Sequence, residues 1–211
     1  MQARRTAREL ALLGMSQLPS TPDRLETQEM ENVILAAVRT LTTEGQESLE
    51  TAMTELQRGN DRLLSSQTRA ADLQSARTMV GEAIALAQSA INRLSTAVEL
   101  PELVQLASQQ DVYSYAVKIL VELNTHREAV DSSLEAAMVD WQLGRLPHID
   151  RDILRIAVTE LLYMGVQEQI AVNEAVELAK RYSDHDSYRF INGVLRRVID
   201  NMKTQSSSSS V

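Results

Sequence analysis

The chain has 211 residues, 44% hydrophobic but only 3% aromatic, with 7 Gly, 4 Pro and no Cys. Rich in Ala, Leu, Glu, Gln and Arg and poor in breakers, it predicts a nearly all-helical globular protein. The absence of Cys excludes disulfides and thiolate metal sites, in keeping with a reducing cytoplasm. A formal net charge of −8 excludes a surface that coats nucleic acid non-specifically, so any RNA contact needs a local basic patch or a partner that supplies one.

The N-terminus carries arginines without the apolar run of a secretory signal, Glu9 argues against a transit peptide, and no window approaches the ~18 uninterrupted apolar residues that span a bilayer. A first helix is predicted over 3–18, with Ala7, Leu10, Ala11 and Met15 on its apolar face. Arg4, Arg5 and Arg8 cluster at its start, where the helix dipole disfavours cations. They read either as a solvated end or as a phosphate-binding patch.

Pro19 and Pro22 end this helix, and the chain then turns acidic. Met30, Ile34, Ala37 and Leu41, then Leu49, Met53 and Leu56, form a second stripe interrupted near Gly45, with Gly59 and Asn60 as the next break. From Arg62 to Leu100 a long helix carries Leu73, Val80, Ala87 and Leu94 alternating with Ile84, Ile91 and Val98. This heptad-like seam departs at Arg77 and is narrowed by Ala76, Ala83, Ala90 and Ala97 beside it. The helices on either side of Gly59 are predicted to form an extended antiparallel hairpin that Pro101 terminates. Such a pair either packs on the rest of the bundle or adds a docking surface, and its seam can close within one chain or between two.

Val112, Tyr115, Ala116, Ile119, Leu120 and Leu123 predict a further helix from Asp111. Val130, Leu134, Ala137, Met138 and Trp141 continue a stripe in which Trp141 reads as a core anchor. Asp150, following Pro147, is a candidate cap for a helix carrying Ile153, Ile156, Ala157, Val158, Leu161 and Leu162. Val172, Ala175, Val176 and Ala179 mark the next helix. The turn Ser183–Ser187 then supplies capping oxygens for a last helix starting near Ser187, with Phe190, Ile191, Val194, Leu195, Val198, Ile199 and Met202 on its apolar side. Gly193 within it points to close backbone approach or to a tolerated loss of about 1 kcal/mol. The serine-rich segment 205–211 reads as a disordered tail.

The inventory for catalysis is absent. His126, His148 and His185 fall in no metal-binding spacing, and there is no glycine-rich phosphate loop or GxSxG motif. Asp150 with Asp152, and Glu174 with Glu177, read as helix-start acids and an exposed helical face. No enzyme activity, cofactor or metal is predicted. Around the last two helices, however, Lys180, Arg181, Arg189, Arg196 and Arg197 interleave with Tyr182, Tyr188 and Phe190. Cations that neutralise phosphates beside rings that stack on bases suit single-stranded RNA.

The strings AVNEAVELAKRY and DSYRFINGVLRRV resemble the C-terminal signature of the NusB family of bacterial transcription antitermination factors. PHIDRDILRIAVTELLY resembles the helix preceding that signature, and ARRTARELAL resembles the family's N-terminal helix. The resemblance covers roughly half the chain, at its two ends; the region 21–110 does not visibly match and looks lengthened. It implies an all-α fold of two packed helical subdomains, here a single RNA-binding domain over 1–204. It also implies recognition of boxA-like single-stranded RNA together with the small-subunit ribosomal protein NusE, in RNA polymerase antitermination complexes that sustain ribosomal RNA transcription. Carried onto this chain, the RNA-binding residues are Arg4, Arg5 and Arg8, then Asp186, Phe190, Asn192 and Gly193, to which the basic and aromatic pattern adds Arg189. Where many members have a tyrosine near the end of the first helix, this chain has Ser16, which cannot stack, so weaker or differently specific RNA binding is predicted. Two other readings stay open: an interaction adaptor that kept the fold and lost RNA recognition, and an accessory domain for an RNA-modifying enzyme.

Overall fold

The computed structural model describes residues 2–16, 27–107, 109–139 and 141–208. Among these residues there are eight α-helices, one 3-10 turn and no strand. The helices are α1 (Gln2–Met15), α2 (Thr27–Thr68), α3 (Leu73–Ala107), α4 (Gln110–Thr125), α5 (Arg127–Ala137), α6 (His148–Tyr163), α7 (Glu168–Tyr182) and α8 (Ser187–Ser208), with the 3-10 turn at Leu143–Arg145. The expected breaks at Pro19 and Pro22 lie outside the described residues. So do 209–211 of the serine-rich tail, while α8 runs on through 205 to Ser208. Among the described residues no helix is long and apolar enough to cross a membrane. The chain divides into two compact units, one of Met1–Ala37 with Ala107–Val211, the other of Val38–Leu106.

The first unit is built around α6, which packs against α1, α4, α5, α7 and α8. Ile153, Leu154, Ile156, Ala157 and Val158 are all buried, as its apolar pattern predicts. Its polar residues Asp150, Arg155, Thr159 and Glu160 are buried as well. Burial of such groups is costly unless they are paired, and here each is. Arg155 donates to both carboxylate oxygens of Asp131 on α5 at 2.7 Å, and Thr159 bonds back to the Arg155 carbonyl at 2.8 Å. Glu160 meets Arg8 of α1 and Tyr115 of α4. Asp150 is not the cap of α6: Pro147 occupies the N-cap with no side-chain cap bond, and Asp150, one turn in, accepts from Ser183 and Ser187. α6 is thus tied by a polar bond to α1, α4, α5 and α8, and to Ser183 at the end of α7.

Trp141 is not a core anchor. α5 stops at Ala137, Met138 has extended backbone, and the indole emerges 58% exposed, because the helical periodicity that would have turned it inward has ended.

The second unit is the predicted antiparallel pair, longer than expected and joined differently. α2 passes through Gly45, Gly59 and Asn60 without interruption, the turn comes at 69–72, and α3 continues past Pro101 to Ala107. A proline removes one backbone hydrogen bond while the turns on either side keep theirs, so it need not end so long a helix. Glu55 pairs with Arg93 and Arg62 with Glu82, each at 3.1 Å. A Cβ on Gly59 would stand 3.3 Å from the Ala83 carbonyl oxygen. That register sets Ala52 opposite Ala90 and Gly45 opposite Ala97, all buried.

Small residues at intervals of seven therefore form the actual seam, and Gly59 is where the two backbones need the space. The large residues assigned to the seam flank it instead. Leu49, Leu56 and Leu63 follow seam positions by four residues, and Met53, Ile84 and Ile91 follow them by one. At about 100° per residue both sets fall on the same side of their helices. Because the helices are antiparallel, these sides share one face of the pair, with Leu73 and Leu94, and all are exposed. Glu55, Arg62, Glu82 and Arg93 fall on the opposite face.

Candidate nucleic-acid interface

All eight candidate RNA-binding residues lie in the first unit, and the structure sorts them into three kinds. Arg4 is exposed, its guanidinium 4.7 Å above the centre of the Tyr115 ring. Arg5 has a half-exposed side chain whose Nε and Nη2 hold the two carboxylate oxygens of Glu174 on α7, at 3.2 and 3.1 Å. That bonding raises its pKa, so its charge is permanent.

Arg8 departs from expectation. Its side chain is 3% exposed, and Nε donates to both oxygens of Glu160 at 2.9 and 2.8 Å, with Glu174 3.6 Å from Nη1. A guanidinium so enclosed by carboxylates holds α1 against α6 and cannot reach a ligand from there. Helical period does not separate Arg4 from Arg8, which lie four residues apart on one side and both approach the Tyr115 ring; Arg4 stands at the open end of the helix, whereas Arg8, one turn further in, is enclosed by Glu160 of α6 and Glu174 of α7.

Tyr115 joins the two roles. Its hydroxyl donates to Glu160 at 2.6 Å while its ring carries Arg4. Burial, then the hydrogen bond to Glu160, push its pKa up to about 12, so the donor stays protonated. Nothing in the sequence pattern singled out Tyr115 beyond its place on an apolar stripe.

The second group gathers at the start of α8. Asp150 binds both Ser183 and Ser187, at the two ends of the turn entering this helix. The serines expected to cap α8 thus anchor it to α6. Asp186, between the two serines, and Arg189, just past them, are exposed and 3.8 Å apart, and Arg189 Nε donates to the Tyr188 hydroxyl at 3.0 Å. Lys180 approaches the same ring from α7, its Nζ 5.9 Å from the centroid.

Phe190 is half-buried and packs at a tilt on the exposed Trp141, ring centres 5.8 Å apart. Trp141 thereby joins the candidate residues, which the sequence reading did not foresee. Asn192 lines a shallow cleft of about 450 Å³ with Asn173 and Arg196. Gly193 has no neighbour within 4 Å of where a Cβ would stand, so packing does not require glycine there.

α7 runs between the two groups. A small cleft of about 220 Å³ lined by Arg5, Glu9, Glu174, Glu177, Lys180 and Arg181 follows it from the α1 arginines towards Tyr188. Lys180 binds Glu177 at 2.7 Å and holds that carboxyl below its ordinary pKa, and Arg181 binds Glu9 at 3.1 Å. Cations and carboxylates alternate here, so the groove is prearranged for charged ligands without being strongly positive.

Fold and candidate site define an all-helical protein that presents a mixed basic and aromatic face. Residues 65–200 match the NusB family, and the chain belongs to that family. It is 59% identical to the transcription antitermination protein NusB of Trichodesmium erythraeum, over 93% of this chain and 95% of that one. It is 56% identical to the protein of the same name from Gloeothece citriformis, over 97% and 96% of the respective chains. A solved structure of T. maritima NusB, 21% identical, aligns with 72% of this chain and 89% of its own at a TM-score of 0.43. Alignment over nearly the whole chain means that the region 21–110 is shared with these relatives.

Proposed function

We propose that this chain is a cytoplasmic, non-enzymatic transcription antitermination factor that binds boxA-like single-stranded RNA jointly with the ribosomal protein NusE, within an RNA polymerase complex that sustains ribosomal RNA transcription. Family membership and the name borne by its relatives support the antitermination role. The observation that carries the RNA reading is the pairing of exposed guanidinium with tyrosine ring at two places. Arg4 lies over Tyr115 at 4.7 Å and Arg189 over Tyr188 at 5.6 Å, each beside a buried polar anchor on α6.

In this reading Arg4, Arg5 and Arg189 meet phosphates, and Phe190 with Trp141 offers rings to unstacked bases. Asn192 and the bare backbone at Gly193 admit the strand closely, while Asp186 orients Arg189. Arg8 is a positioning residue. The acidic body limits non-specific binding, and NusE completes the basic surface. Ser16, exposed and bonded through Oγ to the Leu13 carbonyl, contributes no ring, so roughly 1–3 kcal/mol of stacking is missing where many members have a tyrosine.

The test is equilibrium binding of the full chain to a labelled boxA-containing RNA and to a scrambled control, with and without NusE. Selective binding that tightens with NusE is expected. Equal binding to both RNAs under both conditions contradicts the proposal and leaves the interaction-adaptor reading, which the exposed apolar face of the hairpin favours.

A further inference from the structure

We propose that the apolar face of the α2–α3 pair is the docking surface for a second copy of this chain, two such pairs stacking face to face into a four-helix bundle. The small-residue seam lets α2 and α3 close on each other without using their large side chains. Nine large apolar residues of this unit stay between 36% and 69% exposed. Eight of them lie on this face, and at on the order of 100 Å² each they present roughly 800 Å², above the few hundred Å² of a typical monomer's largest patch and matching the ~800 Å² that each partner contributes to a standard interface.

The chemistry of the face points to a copy of itself. Leu49, Leu56 and Leu63 recur every seven residues, as do Ile84 and Ile91, which is the repeat that lets a helical layer interdigitate with another of the same pitch. A single face used by both copies makes a closed two-fold interface in which each copy's apolar face covers the other's. The opposite face has its own partners, Glu55 with Arg93 and Arg62 with Glu82, and stays in water.

Analytical ultracentrifugation of the full chain tests this. The expected mass is twice that of one chain, falling to one chain in the double variant Ile84→Glu, Ile91→Glu with helical circular dichroism retained, since both positions are exposed and no core is disturbed. A separate measurement avoids dependence on that variant. The chain has no Cys, so Leu56→Cys introduces a lone thiol. A short bis-maleimide should join two chains through Leu56→Cys and leave Arg62→Cys, on the other face, uncoupled.

A wild-type chain of single mass at every concentration overturns the proposal. In that case alkylation of Leu56→Cys tells why: a blocked thiol means the chain covers its own face, and a reactive one means a different protein docks there. A dimer that survives the glutamate pair, or couples equally through Arg62→Cys, overturns it too.

Discussion

Arg8 on α1 and Glu160 on α6 form a buried ion pair, Nε to both carboxylate oxygens at 2.9 and 2.8 Å, with side chains 3% and 1% exposed. Removing one partner of such a pair leaves an uncompensated charge in a low dielectric. Arg8→Ala should therefore lower unfolding free energy by about 3–5 kcal/mol. Arg4→Ala, at the exposed end of the same helix, should change it by less than about 0.5 kcal/mol. Urea denaturation of the two variants checks this separation of roles, and equal losses would contradict it.

Tyr115 gives stability a defined alkaline limit. Its folded-state pKa is pushed up from 10.0 to about 12, by burial first and the hydrogen bond to Glu160 second. Above about pH 10 the unfolded chain releases this proton while the folded chain keeps it, so stability is lost as pH rises from about 10 towards 12. Tyr115→Phe should cost about 1–2 kcal/mol at neutral pH, because Glu160 loses a donor. It should also flatten that alkaline decline, measured as denaturation midpoints at several pH values.

Asp150 places the second half of the site at a distance. It is 4% exposed and fastens Ser183 and Ser187, with the turn bearing Asp186 between them. Asp150→Ala should cost roughly 1–3 kcal/mol, since two half-buried hydroxyls lose their acceptor. Amide exchange should accelerate most over 183–189. Protection unchanged there would show that the turn orders itself without α6.

Gly193 separates structural from functional demand. With open space where a Cβ would stand in a helix interior, Gly193→Ala should stabilise the chain by up to about 1 kcal/mol. If the RNA backbone passes close to Gly193, the same variant binds boxA-like RNA more weakly. A gain in both stability and affinity would remove Gly193 from the interface.

Elements whose apolar residues recur on one side, such as α6, α7 and α8, were legible in the sequence, down to the start of α8 at Ser187. The hairpin was legible as an antiparallel pair but not in its seam. Periodicity reports which residues share a side of a helix, and cannot say whether the large or the small set faces the partner when both repeat every seven. Gly45 and Gly59 looked like breaks because glycine costs helix propensity, yet in a close-packed pair they are what admits the neighbour. Local spacing could not reveal the buried polar bonds of α6, because their partners, such as Arg8 for Glu160 and Asp131 for Arg155, come from distant parts of the chain. The family resemblance pointed to Arg4, Arg5 and Arg8 alike and could not distinguish Arg4, which faces solvent, from Arg8, which does not.

The central claim is that Arg4 and Arg189 meet RNA phosphates while Arg8 only supports them. The most direct measurement is the salt dependence of boxA RNA affinity for the NusE-bound chain, wild type against Arg4→Ala with Arg189→Ala. Each lost phosphate contact should reduce the slope of log K against log salt by about 0.7, so a fall of about 1.4 with an unchanged denaturation midpoint is the predicted result. An unaltered slope and affinity would contradict the claim and place the RNA elsewhere on the molecule.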